Sequence, residues 1–147
     1  MGMRAIYHMV DSIDSEIYES LEIDKSWQVI HFVLSGQKTG GQDILSNVVL
    51  KEEPNLPTDF PDFSDTEIMF WELSEIQAIN HALTAVTKTW FRDRFSVEKM
   101  VKNDIYPVLP SDDNDKFFNY IYPNYEMLVK FFCKAEKNNK AIMLVIS

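Results

Sequence analysis

The chain is poor in cysteine, glycine, histidine and positive charge, and each shortage excludes something. Cys133 is its single cysteine, so no internal disulfide can form and nothing points to an oxidising compartment. Fourteen Lys and Arg stand against 23 Asp and Glu, a formal net charge of -9. A nucleic-acid backbone is bound by displacing counterions with Lys and Arg, and that excess of acid argues against it. It equally disfavours an anionic membrane surface. No apolar run approaches the ~20 residues of a membrane helix. Residues 1–10 hold one basic residue and an apolar run broken by His8, which does not fit a secretory signal. Ile6 stands where myristoylation after Gly2 wants Ser or Thr. The expectation is a cytoplasmic protein with no nucleic-acid or membrane partner.

The three histidines and the cysteine lie far apart, without HxxxH or CxxC spacing, so no metal site and no cofactor is expected. The run Asp112-Asp113-Asn114-Asp115 lacks the glycine and distal glutamate of a calcium loop and reads as a helix start. Gly36-Gln37-Lys38-Thr39-Gly40-Gly41 has the wrong spacing for a phosphate loop and follows a helix rather than a strand. Cys133, beside Phe131 and Phe132, reads as a packed, inert thiol.

What is present is apolar residue in quantity. Hydrophobic types make up 46% and aromatics 13% of 147 residues, enough for one domain, residues 1–147, with a real core. Residues 4–10 read as a strand. Ile17, Tyr18 and Leu21 sit at helical spacing and predict a short helix. Residues 23–34 form a longer one. Asp24 is placed to cap its start, Gly36 to end it, and Trp27, Ile30 and Leu34 share a face. A glycine-containing loop covers 35–43, and 44–50 fits either helix or strand.

Residues 67–73 read as a strand. Ser74 and Gln77 have capping-box spacing before a helix running to about residue 87. Ser96 is placed to cap a short helix. Residues 111–122 form another, and Pro123 suits the first turn of the next. Residues 141–146 are an unbroken apolar run, read as a strand buried on both faces. The fold class is α+β: a small mixed sheet that includes both terminal strands, packed by several helices.

One constellation could carry chemistry. Asp24, Trp27 and His31 share a helical stripe, and His8 and Tyr106 are candidates for the same pocket. A carboxylate beside an imidazole can orient it or tune it for proton transfer. Against this, Asp24 and His31 are two turns apart, and stripe residues usually pack; the structural reading of His31 is the stronger. A second candidate is the proline-rich acidic stretch 51–65. Its Glu52, Glu53, Asp59 and Asp62 crowd around Phe60 and Phe63, acids about aromatic anchors that suit a basic protein partner.

The block Ile23-Asp24-Lys25-Ser26-Trp27 with Ile30-His31-Phe32 and Leu34-Ser35-Gly36 is uncommon in combination. With Met1-Gly2-Met3, Ile105-Tyr106-Pro107, the late pattern Leu128, Phe131-Phe132, Ala135 and the closing apolar strand, it resembles the YfbM-like family of small bacterial proteins. The resemblance runs in order along nearly the whole chain. It departs at a brief stretch before the central block and at the acidic loop 51–65. The resemblance implies an α+β fold and a bacterial cytosolic setting. It supplies no activity and no catalytic residues, since the family is one of unknown function.

Two functions follow as expectations. One is a binding or regulatory protein for a basic partner, with toxin immunity as one concrete form. The other is an enzyme or small-ligand binder using Asp24, Trp27, His31, His8 and Tyr106.

Overall fold

The structure, a computed structural model, describes residues 3–52, 56 and 66–147. The chain runs β1 (Ala5–Val10), β2 (Ile17–Glu22), α1 (Trp27–Ser35), a 3-10 turn (Ile44–Asn47), β3 (Glu67–Trp71), α2 (Leu73–Leu83), α3 (Lys88–Arg94), α4 (Val97–Lys102), α5 (Asn114–Lys137) and β4 (Ala141–Ile146). The strands form one four-stranded sheet in the order β2-β1-β4-β3. The two terminal strands are therefore its centre, and the α+β class is as expected. Among the described residues the sheet is not mixed: every pairing is antiparallel.

Residues 17–22 are a strand rather than the expected short helix. Their apolar spacing fits both periods, and pairing with β1 decides between them. In the extended form Leu21, opposite Tyr7, turns to the core while Tyr18 stays 58% exposed. Ser15 holds the hairpin connection: its Oγ accepts from the backbone N–H groups of Asp11 and Ser12 and donates to the Ser12 carbonyl.

Alternation fixes the layers. On one sheet face Ala5, Tyr7, Met69, Trp71, Ile142, Leu144 and Ile146 are buried. The rings of Tyr7 and Trp71 meet Phe132 of α5 at 5.6 and 6.0 Å between centroids. Ile6, His8, Ile68, Phe70, Met143 and Val145 occupy the opposite face and are only half-buried. The helices thus cover one side. β4 is not buried on both faces as expected, because no described helix covers Met143 and Val145.

The helix ends follow the sequence signals in part. Gly36 ends α1 in the left-handed region at φ 76°, its N–H donating to the Phe32 carbonyl at 2.8 Å. Ser96 caps α4 through the Lys99 N–H. Asp24, however, does not cap α1. It lies outside the helix at φ 52°, and Ser26 takes the N-cap position without a side-chain cap, its hydroxyl donating instead to the Ile23 carbonyl. The capping box of α2 is built from Glu72 and Glu75, not Ser74 and Gln77. α2 ends at Leu83, which frees Thr87 to cap α3. Pro123 lies inside the single helix α5 instead of opening a new one. Proline removes one helical hydrogen bond, and burial of Phe118, Ile121, Tyr125 and Leu128 along the same stripe holds the helix through it.

Candidate functional site

Helix α1 is buried from Trp27 through Leu34, so its polar side chains must find partners inside the protein. They find them in the surrounding loops. Gln28 Oε1 accepts from the Tyr106 backbone N–H at 2.7 Å. His31, 0% exposed, spans two further segments: Nε2 lies 2.9 Å from the Gly40 carbonyl, and the Leu50 N–H reaches Nδ1 at 3.2 Å. An N–H donor at Nδ1 and a carbonyl at Nε2 require the neutral tautomer with its proton on Nε2. The Gly40 N–H in turn donates to the Leu50 carbonyl. His31, Gly40 and Leu50 thus close a three-membered set of hydrogen bonds. Burial lowers the His31 pKa to about 4, partly opposed by the bond to Gly40.

The other expected pocket residues lie elsewhere. Trp27 and Tyr106 do meet, at 5.6 Å between centroids, and both hold Met3: the indole N–H donates to its carbonyl, and its N–H donates to the Tyr106 hydroxyl. Asp24 sits on the surface and accepts from the Tyr120 hydroxyl at 2.6 Å, with Arg4 3.4 Å away. Burial, with Asp24 adjoining, raises the Tyr120 pKa to about 12. His8 projects from the helix-free sheet face, where Nδ1 pairs with Ser20 Oγ across the hairpin. The structure brings Trp27 and Tyr106 together and leaves His31, Asp24 and His8 in three different environments.

Of the acidic stretch, Glu52 is exposed. Glu53, Asp59, Phe60, Asp62 and Phe63 lie outside the described residues. Cys133 is exposed on α5 rather than packed, its thiol directed at Asn80 Oδ1. Partial desolvation by its neighbours, with Glu136 nearby, raises its pKa, which favours the thiol over the thiolate. Among the described residues no group of three His, Cys, Asp or Glu is placed to hold a metal ion, and no helix is long and apolar enough to cross a membrane.

Sequence reasoning missed Lys51. Its side chain is 4% exposed, with Nζ 3.0 Å from Glu75 Oε2 and 2.5 Å from the Phe70 carbonyl. The ammonium also lies 4.7 Å over the Trp71 ring. β3 is an edge strand, and an inward-pointing charge planted on an edge carbonyl blocks pairing with another strand. The signal was available: Lys51 directly follows the apolar run Val48-Val49-Leu50, all three buried. Burial lowers the Lys51 pKa, partly offset by Glu75.

Comparison with known proteins agrees with this architecture. The chain aligns over 98% of its length, and 99% of the other, with the crystal structure of YfbM from Escherichia coli, a protein of unknown function, at a TM-score of 0.79 and 21% identity. That identity carries the fold alone. No curated protein matches the chain. The family model for DUF1877, a domain of unknown function, matches residues 1–145. The chain belongs to the DUF1877 family, in keeping with its YfbM-like sequence features.

Proposed function

We propose that this is a cytoplasmic binding protein of a bacterium, acting on a basic protein partner, with neutralisation of a toxin as one form of that role. The observation that supports it is the engagement of His31. Both ring nitrogens are spent on backbone groups, so the imidazole on which a catalytic reading depends has no lone pair or proton left for a substrate. The histidine is a loop fastener. What remains for function is a surface with a formal charge of -9, and opposite fields speed the encounter with a basic protein.

The test is capture of the tagged protein's partners from its native lysate at low and high salt. Retention of a single basic protein near stoichiometry, weakened by salt, is the expected result. Reversal of the charge at Glu52 and at the acids Asp59 and Asp62 should weaken retention while the far-UV spectrum stays unchanged. Absence of any retained protein at either salt would overturn the reading.

A further inference from the structure

Among the described residues no helix lies on the second side of the sheet, which is an ordered apolar surface. The register aligns Phe70, Met143, His8 and Ser20 in one row across the strands, and Ile68, Val145, Ile6 and Glu22 in the next. Every apolar side chain in these rows is half-buried only. One end of this face runs into a groove of about 390 Å³. Its floor is apolar, with Phe70, Ala141, Ile13 and Leu73, and its rim carries Asp11 and Glu72.

Charge at this face is one-sided. Its cations are already held: Arg4 lies 3.7 Å from Glu22 and 3.4 Å from Asp24, Lys140 Nζ donates to Asp11 at 2.7 Å, and the buried Lys51 is held by Glu75 with Glu72 nearby. Five carboxylates, Asp11, Glu22, Asp24, Glu72 and Glu75, therefore face three cations. An ionised carboxylate offers about four acceptor sites. Asp11 uses one on Lys140 and one on Tyr18, and Glu72 uses its side chain on the α2 cap. Each retains capacity for an incoming cation. A second copy of this chain would bring a further net charge of -9 against the same acidic rim, so self-association is disfavoured. An aliphatic stem over the apolar floor with its charged head at the rim is how Lys and Arg cover such ground.

We propose that this sheet face, continued into the groove between Asp11 and Glu72, docks a protein partner that presents a lysine or arginine beside apolar side chains. The inference rests on the binding reading above and adds to it a second contact surface, distinct from the acidic stretch at Glu52.

The probe is a six-residue peptide alternating Lys and Leu, titrated into the full chain with methyl and amide resonances followed by NMR. The expected result is saturable shifts at Ile6, Ile13, Ile68, Met143 and Val145, with Ile142 and Leu144 on the core face unmoved. Met143→Lys and the uncharged variant Ile68→Thr should each weaken binding at least tenfold. Met127→Lys makes the same charge change at an exposed site on α5 and should leave affinity unchanged. A peptide alternating Glu and Leu should shift nothing.

Shifts confined to the region of Glu52 would overturn the face and leave the binding reading standing. Equal affinity for wild type and Met143→Lys would do the same. A dimer in sedimentation that Met143→Lys dissolves would assign the face to a second copy and overturn the proposal. No shift with either peptide would also overturn it, and the binding reading falls with it only if lysate capture fails too.

Discussion

His31 Nε2 and the Gly40 carbonyl oxygen are 2.9 Å apart in an environment closed to solvent. Nine residues separate them along the chain, and the same ring holds Leu50 nineteen residues away. His31→Ala removes both partners at once and strands a buried carbonyl and a buried N–H. Each costs about 1–3 kcal/mol, so urea denaturation should report a loss of roughly 2–6 kcal/mol. Limited proteolysis of the variant should begin within residues 37–50.

The same residue makes stability depend on pH. Its folded pKa is about 4 against an ordinary 6.5, so the unfolded chain binds the proton more tightly. The neutral ring's contribution is complete above pH 6.5. It is lost progressively as pH falls from there to about 4, below which the loss levels off. At ~1.4 kcal/mol per pH unit, the full effect is on the order of 3 kcal/mol. Denaturation curves from pH 7 to 4 should show this slope in the wild type and a shallower one in His31→Ala.

Lys51→Met keeps the apolar stem over Trp71 and removes the ammonium from the Phe70 carbonyl and Glu75. Both are charge-assisted hydrogen bonds, and their loss should cost about 1–3 kcal/mol. The β3 edge also loses its guard. Light scattering at raised concentration should detect association that the wild type does not show.

Tyr125 has the opposite balance. Its hydroxyl is buried without a hydrogen-bond partner among the described residues, while its ring packs on Phe91 at 4.6 Å. Tyr125→Phe keeps the packing and discards the unsatisfied polar atom. It should leave thermal stability unchanged or raise it by about 1 kcal/mol.

Two glycines of the loop beside α1 should respond differently to alanine. Gly36 lies at φ 76°, and a Cβ there would meet only the Arg94 guanidinium, at an ordinary contact distance of 3.6 Å. Gly36→Ala should cost only the left-handed penalty of about 1 kcal/mol. Gly41 sits at φ 133°, and a Cβ there would collide with the Ser46 side chain. Gly41→Ala should cost clearly more in the same denaturation assay.

The contrast between Gly36 and Asp24 shows how much could be read from the chain. A glycine after an apolar stripe has one use, and α1 ends there. An aspartate before the stripe has several, and here Tyr120 and Arg4, 96 and 20 residues away in sequence, take its carboxylate. Residues 17–22 were misread because Ile17, Tyr18 and Leu21 satisfy a helix template, while the deciding contact is Leu21 opposite Tyr7. The pairing of the terminal strands was legible because both are apolar, short and bounded by turns. The dispersal of the site residues was not. His8 and Tyr7 differ by one position yet lie on opposite sides of the sheet, and only register tells which side the helices cover. The burial of Lys51 is signalled by the apolar run before it, but its partners Phe70, Trp71 and Glu75 are linked to it by no local pattern.

The place of β4 between β1 and β3 has a kinetic consequence. β3 pairs with β4 and with no other described strand, so residues 67–71 wait for residues 142–146 before they gain a neighbour. The β1–β2 hairpin can close early because its partners are close in sequence. The centre of the sheet joins residues 5–10 to 141–146, a contact spanning almost the entire chain. Closure of so long a loop precedes its reward, and such contacts slow folding. Completing the sheet is therefore the long-range step of folding: β4 is the strand that joins the β1–β2 hairpin to β3 and makes one sheet of two separate pieces.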